Sequence, residues 1–191
     1  MKSVGVTGGI GSGKSIVCKI FEVMGFPVFY ADIEAKKCMV EDVDLIHGVK
    51  QLLGENAYIN SELNRPYVAN LIFADSELKS KMDALVHPAV FRAFELWKSK
   101  QNADLIFNES ALLFETGSYN RFDEVILVVA DLETRLERVM KRDQVSKESV
   151  VARIQHQMLD EHKLKMNPYV IENDSHQMLI PQILTFIEKV R

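Results

Sequence analysis

A chain of 191 residues with 47% apolar and 26% charged side chains has the size and composition of one α/β domain with insertions, large enough to bury a sizeable core. Its net charge of −4 argues against a general nucleic-acid or membrane surface, where an excess of basic residues supplies the affinity. The two cysteines, Cys18 and Cys38, give neither a disulfide framework nor a metal-ligand spacing.

The apolar-leaning run Val4 to Thr7 leads directly into Gly8-x-x-x-x-Gly13-Lys14-Ser15, and Ile16 to Phe21 continues as a helix. Strand, glycine-rich turn and helix, in that order, are the context of a phosphate-binding P-loop. Gly8, Gly9, Gly11 and Gly13 let the backbone wrap so that successive N–H groups, Ser12 included, face phosphate oxygens. The helix N-terminus puts partial positive charge behind the anion. Lys14 is expected to reach the outer phosphates and the Ser15 hydroxyl to ligate Mg²⁺. A dinucleotide-binding turn fits worse, because G-x-G-x-x-G read from Gly9 and Gly11 needs glycine at 14, where Lys14 stands. The segment reads as a nucleoside-triphosphate site.

The first helix is expected from Lys14 to Met24, stopping at Gly25, with Cys18 a small buried apolar residue inside it. Pro27-Val28-Phe29-Tyr30 reads as a second, fully buried strand, with Asp32 beyond its C-terminal end. Ligands sit beyond the carboxyl ends of parallel strands, so Asp32 and the P-loop are expected to share one edge. Asp32 also suits a helix N-cap before Ile33 to Lys37, and position alone does not choose between cap and catalytic carboxylate. From Ile33 to about Gln101 the pattern stays helical for far longer than a βα connection, which predicts an inserted helical subdomain. Within it, Asn56 to Asn64 is turn-rich and Pro66 suits the start of a helix. Ser76 suits the cap of the next helix, and His87-Pro88 is expected to open another. The Phe91, Phe94 and Trp97 spacing is that of core packing.

Asp104–Glu109 is the third strand and Glu124–Val129, apolar and so central, the fourth. Asp131 caps a helix from Leu132 to Arg142 that carries Arg135, Arg138, Lys141 and Arg142, and Ser146 starts another. Arg138 and Arg142 are one turn apart and can face a transferring phosphoryl group, although spacing alone favours a solvated face. Tyr169–Glu172 is a fifth strand, and Met178 to Val190 a terminal amphipathic helix. The N-terminal apolar run is short and broken by glycines, and no stretch approaches the ~20 apolar residues of a membrane span. A cytoplasmic protein is expected.

Thr7 to Ser15, Ala31-Asp32, His87-Pro88, Leu112-Leu113-Phe114-Glu115, Arg138 and Arg142, Gln157, and Val170-Ile171-x-Asn173 together resemble the dephospho-CoA kinase family, in that family's order and over almost the whole chain. The resemblance implies ATP-dependent phosphorylation of the ribose 3′-hydroxyl of dephospho-CoA, with Mg²⁺. It implies an α/β P-loop kinase fold, a three-layer sandwich around a five-stranded parallel sheet. The core would comprise 1–31, 102–134 and 166–191, with a helical acceptor-binding insertion at 32–101 and a helical lid at 135–165. By the same resemblance, Asp32 is the general base, Gly11 to Ile16 bind the ATP phosphates, and Arg138 and Arg142 are lid arginines. Arg65, His87 and Glu115 stand on the acceptor side, and Asn173 near the adenine. The chain departs from the family pattern at Tyr30, where an Asp is usual, at Ile16 for Thr, and at Ala111 for Pro. The rivals are another small-molecule or nucleotide kinase on the same scaffold, or a nucleotide-binding switch. A GTPase switch would need Asn-Lys-x-Asp and Asp-x-x-Gly after a strand, and neither appears.

Overall fold

Lys2–Thr7 forms strand β1, with every side chain from Ser3 onward buried, and a turn then delivers the chain to helix α1 (Lys14–Val23). The computed structural model describes residues 1–174 and 176–191. α1 buries Val17, Cys18 and Phe21. It ends where Gly25 N donates to Glu22 O at 2.9 Å and Phe26 N to Phe21 O at 3.0 Å, covering carbonyls that no further turn would reach. β2 (Val28–Tyr30) follows, and only Phe29 of its three residues is buried. The expectation of a fully buried strand fails because β2 lies at the edge of the sheet.

The chain then runs through α2 (Ala31–Glu41), α3 (Val43–Leu53), the antiparallel pair β3 (Tyr58–Ile59) and β4 (Glu62–Leu63), α4 (Arg65–Ala74) and α5 (Ser76–Lys98). The turn-rich stretch is thus a hairpin, with Asn60 (φ 51°) and Ser61 (φ 69°) at its tip. Positive φ at both central residues is the geometry whose twist matches the strands. Cys38, Leu45, Val49, Val68, Met82 and Ala89 share one buried cluster in this part of the chain. The two helices expected over 76–100 are one continuous helix of 23 residues. Asp75, not Ser76, caps it, accepting from Glu77 N at 2.8 Å and Leu78 N at 3.0 Å. Pro88 lies inside that helix, where it removes the bond to the carbonyl four residues back. That carbonyl belongs to Ala84, an exposed residue, so water can satisfy it and the helix continues.

β5 (Leu105–Glu109), β6 (Glu124–Val129), α6 (Leu132–Asp143), α7 (Lys147–Gln155), α8 (Asp160–Leu164), β7 (Tyr169–Glu172) and α9 (Leu179–Val190) complete the chain. The sheet is five-stranded and parallel, in the order β2-β5-β1-β6-β7, so β1 holds the middle and β6 an interior place. Val6 pairs with Glu109 on one side and Ile126 on the other, while Val129 pairs with Glu172. The register brings the C-terminal ends of four strands out with the P-loop. Phe21 of α1 stacks on Phe107 of β5, centroids 3.7 Å apart, which seats the helix that carries the loop. By contacts the chain forms two compact units, residues 1–29 with 102–191, and residues 30–101. Among the described residues no helix is long and apolar enough to cross a membrane.

Asp42 holds the second unit at a defined point. Its carboxylate accepts from Leu45 N at 2.9 Å, capping α3, and from Arg92 Nη2 at 2.7 Å, joining α3 to α5. The Leu45 amide, with Arg92 adding, holds the Asp42 carboxyl below its ordinary value. A depressed folded-state pKa contributes stability above the ordinary carboxylate range, and that contribution is lost as pH falls through the folded value. Asp42→Ala is therefore expected to cost about 1 kcal/mol or more in urea unfolding at neutral pH, with the deficit shrinking in acid. Coincident unfolding curves at pH 7 would contradict this role.

Candidate functional site

Backbone N–H groups bind an anion only where a turn points several of them the same way, and residues 8–15 make such a turn. Ser12 N closes it on Gly9 O at 3.1 Å, and Ile16 N opens α1 by donating to Gly13 O at 3.0 Å. Gly11 (φ 81°) and Gly13 (φ 92°) adopt left-handed backbone that side chains resist. Space forbids side chains as well: a Cβ on Gly11 would stand 2.5 Å from the Arg135 carbonyl oxygen, and one on Gly13 would collide with Asn173 Nδ2. Among the described residues, the amides of Gly11, Gly13 and Ser15 donate to no protein acceptor. Gly13 and Ser15 are orphan donors of the helix start, Gly11 stands two residues before its N-cap, and the three make an anion cradle.

Cations surround that cradle. Lys14 Nζ reaches back to Gly8 O at 2.9 Å and Gly9 O at 3.4 Å. Arg138 Nη1 donates to Gly11 O at 3.4 Å. Arg142 does not share that position; it is 64% exposed and bonds Asp143 at 2.7 and 3.1 Å, where Arg153 also arrives at 2.8 Å. Asn173 is buried and bridges the site to the sheet, its Nδ2 donating to Ser12 O and its N to Val129 O, both at 2.8 Å. Ser15 is exposed at the N-terminus of α1, and Ile16 turns an exposed apolar side chain outward, leaving only its backbone in the loop. Gly8 and Gly9 are buried beneath Lys14, and Ser12 is buried with them.

Asp32 lies in the first turn of α2 and is exposed. The N-cap there is Tyr30, without a side-chain cap bond, so the capping alternative for Asp32 falls. Arg65 starts α4 and His87 stands within α5; both are exposed. These three belong to the 30–101 unit. Glu115 instead turns into the larger unit, where Oε1 accepts from Met158 N at 3.0 Å and faces Lys163 Nζ at 3.5 Å. The Cys18 thiol beneath the loop has its pKa raised, chiefly by burial, with Glu109 adding and Lys14 opposing. It stays a protonated packing group.

Sequence reading assigned no place to Arg135. It is 8% exposed, its Nε donates to Ile10 O at 2.9 Å, and its guanidinium lies where a Cβ on Gly9 would be. Gln157 accepts from Ile10 N at 2.8 Å. The only sequence signal for Arg135 is its place in the basic run of α6, which reads equally as a solvated face.

The family model for dephospho-CoA kinase (CoaE) matches residues 2–178. The chain belongs to the dephospho-CoA kinase family. It is 41% identical over 185 residues to the dephospho-CoA kinase of Bacteroides fragilis, covering 96% of this chain and 90% of the relative. The crystal structure of TT1252 from Thermus thermophilus superposes with a TM-score of 0.84 at 35% identity, covering 99% of this chain and 95% of the other. The dephospho-CoA kinase of Campylobacter jejuni gives 0.69 at 26% identity, covering 98% and 96%. The fold is that of a P-loop kinase, and the family's reaction is the final, ATP-dependent phosphorylation in CoA synthesis.

Gly11→Ala adds a Cβ against backbone, at a φ that alanine resists. ATP affinity measured by calorimetry is expected to fall on the order of tenfold or more, with far-UV circular dichroism retained. Wild-type affinity would mean that the loop does not need this geometry.

Proposed function

We propose that the chain transfers the γ-phosphoryl group of ATP to the ribose 3′-hydroxyl of dephospho-CoA through the groups just described. The observation that carries this is the convergence of the Gly11, Gly13 and Ser15 amides with Lys14 and Arg138 on one turn. The amides and the helix N-terminus receive the ATP phosphates, and Lys14 exchanges its Gly8 and Gly9 carbonyls for the outer phosphates. Asn173 fixes the far side of the loop through Ser12 O and stands at the position we assign to the adenine end of the nucleotide. The Ser15 hydroxyl, exposed at the start of α1, offers one oxygen ligand to Mg²⁺. Among the described residues no group of three or more His, Cys, Asp or Glu side chains could hold a metal, which suits an ion carried mainly by phosphate oxygens. When bound, that ion would neutralise charge on the transferring group.

Asp32 acts as the general base. It accepts the 3′-hydroxyl proton as the oxygen–phosphorus bond forms in line with the breaking bond to the ADP oxygen, and ADP leaves. Residues 32–101 supply the acceptor side, with Arg65 and His87 as the groups that meet dephospho-CoA. The lid lies within residues 135–165, between the ends that Arg135 and Gln157 tie to Ile10, and its closure excludes water. Arg138 is the arginine we assign to the developing charge, since Arg142 is committed to Asp143. Glu115, equally committed to Met158 and Lys163, is assigned to holding the loop rather than to the acceptor. A cytoplasmic setting is supported by two unpaired cysteines in the chain.

Asp32→Asn is expected to lower kcat on the order of 10²–10⁴-fold with ATP affinity kept. Near-wild-type turnover would remove Asp32 as the base. Lys14→Ala is expected to weaken ATP binding and turnover together, read from ADP release with and without dephospho-CoA. ADP release from the wild type that proceeds equally well with adenosine or AMP as acceptor would contradict the acceptor assignment.

A further inference from the structure

Lys163 is wholly buried, on the five-residue helix α8, far along the chain from the P-loop. A buried ammonium costs several kcal/mol of lost hydration unless neighbouring charge offsets it. Two carboxylates do so, Glu115 Oε1 at 3.5 Å and Asp160 Oδ1 at 3.6 Å, although Nζ itself makes no hydrogen bond. Asp160 in turn meets Arg135 Nη1 at 3.3 Å. The four groups, two cations and two anions, form one charge-balanced cluster. Both branches of it end on the same residue of the P-loop. From Glu115 the chain of contacts runs through Met158 N to the adjacent Gln157, whose Oε1 accepts from Ile10 N at 2.8 Å. From Asp160 it runs through Arg135, whose Nε donates to Ile10 O at 2.9 Å. Ile10 therefore has both its N–H and its C=O held by groups that Lys163 orders. With its N–H held by Gln157, Ile10 does not offer that group to an anion, while the amides of Gly11, Gly13 and Ser15 stay open to one.

We propose that Lys163 is a positioning residue for nucleotide binding: it locks the 157–160 segment and Arg135 onto the Ile10 peptides and so presets the P-loop for ATP. The inference rests on the reading of the loop as the ATP site. It excludes a role for Lys163 in acceptor recognition.

The test compares Lys163→Met with the double variant Lys163→Met/Glu115→Gln, which removes one charge of each sign. The single variant leaves buried carboxylate charge unbalanced and is expected to lower the thermal midpoint. The double variant is expected to regain most of that loss. In both, the Kd for ATP is expected to rise on the order of tenfold, with KM for dephospho-CoA within about twofold of wild type. Hydrogen exchange at Ile10 and over residues 157–160 should accelerate while β1, β5 and β6 stay protected. Recovery of ATP affinity in the double variant along with its stability, or equal rises in the constants for both substrates, would overturn the proposal and leave a purely structural charge cluster. Wild-type protein that fails to bind ATP would instead refute the reading of the loop itself.

Discussion

A phosphate cradle built from backbone amides is useful only if the backbone cannot turn those amides elsewhere. This constraint organises residues 1–29 and 102–191. Glycine gives the turn its left-handed backbone at Gly11 and Gly13, but the same permissiveness leaves it many conformations to lose. The loop is therefore braced from outside: Gln157 and Arg135 take the two polar groups of Ile10, and Asn173 takes the Ser12 carbonyl. Two of the three braces also explain missing side chains, because Arg135 and Asn173 occupy the space that Cβ atoms at 9, 11 and 13 would need. Glycine and brace form one device.

The braces come from segments remote in sequence, and the sheet makes that possible. β1 lies in the middle, so the loop leaving its C-terminal end has β5 on one side and β6 on the other. The connection after β5 brings Glu115, and the one after β6 brings α6 with Arg135 and Arg138. β7 places Asn173 immediately after its own C-terminal end. Parallel strands bring all these connections to one edge, and the apolar runs that make the strands fix the position of polar groups that never contact each other along the chain. The Phe21–Phe107 stack sets the remaining variable, the seat of α1 against β5.

What could be read from sequence was what is local. The P-loop, Gly25, the Asp131 and Ser146 caps and the apolar strands depend on neighbours within a few residues, and they stand where the pattern puts them. The hairpin at 58–63 was hidden because its tip is Asn60-Ser61 rather than an Asn-Gly pair. His87-Pro88 suggested a helix start because proline usually marks one, yet Asp75 supplies a double cap twelve residues before His87, and Ala84, whose carbonyl Pro88 cannot serve, is an exposed residue. Burial of β2 was overestimated because composition cannot say which strand ends at an edge. Arg135 and Lys163 were the least legible of all. A charged residue in a helix reads as solvated unless its partners are known, and the decisive ones lie 25 residues away for Arg135 and, besides the nearby Asp160, 48 for Lys163.

The same geometry separates the two arginines that sequence spacing could not. Arg138 and Arg142 are one turn apart on α6, so they share a helix face, but a face is not a partner. Asp143, also contacted by Arg153, takes Arg142 into an exposed ion cluster. Exposed pairs of this kind are weakened by solvent and contribute little to stability, so the cluster places the side chain more than it stabilises the fold. Arg138 has instead a neutral carbonyl, Gly11 O, at 3.4 Å. A phosphate oxygen carrying formal charge is a stronger acceptor for a guanidinium than a carbonyl dipole. In the proposed reaction an entering triphosphate therefore takes Arg138 without breaking an ion pair. Drawing Arg142 onto the phosphates would first cost its pairing with Asp143. Of the two arginines, Arg138 is the one held by a partner it can leave cheaply, which keeps it both ordered and available.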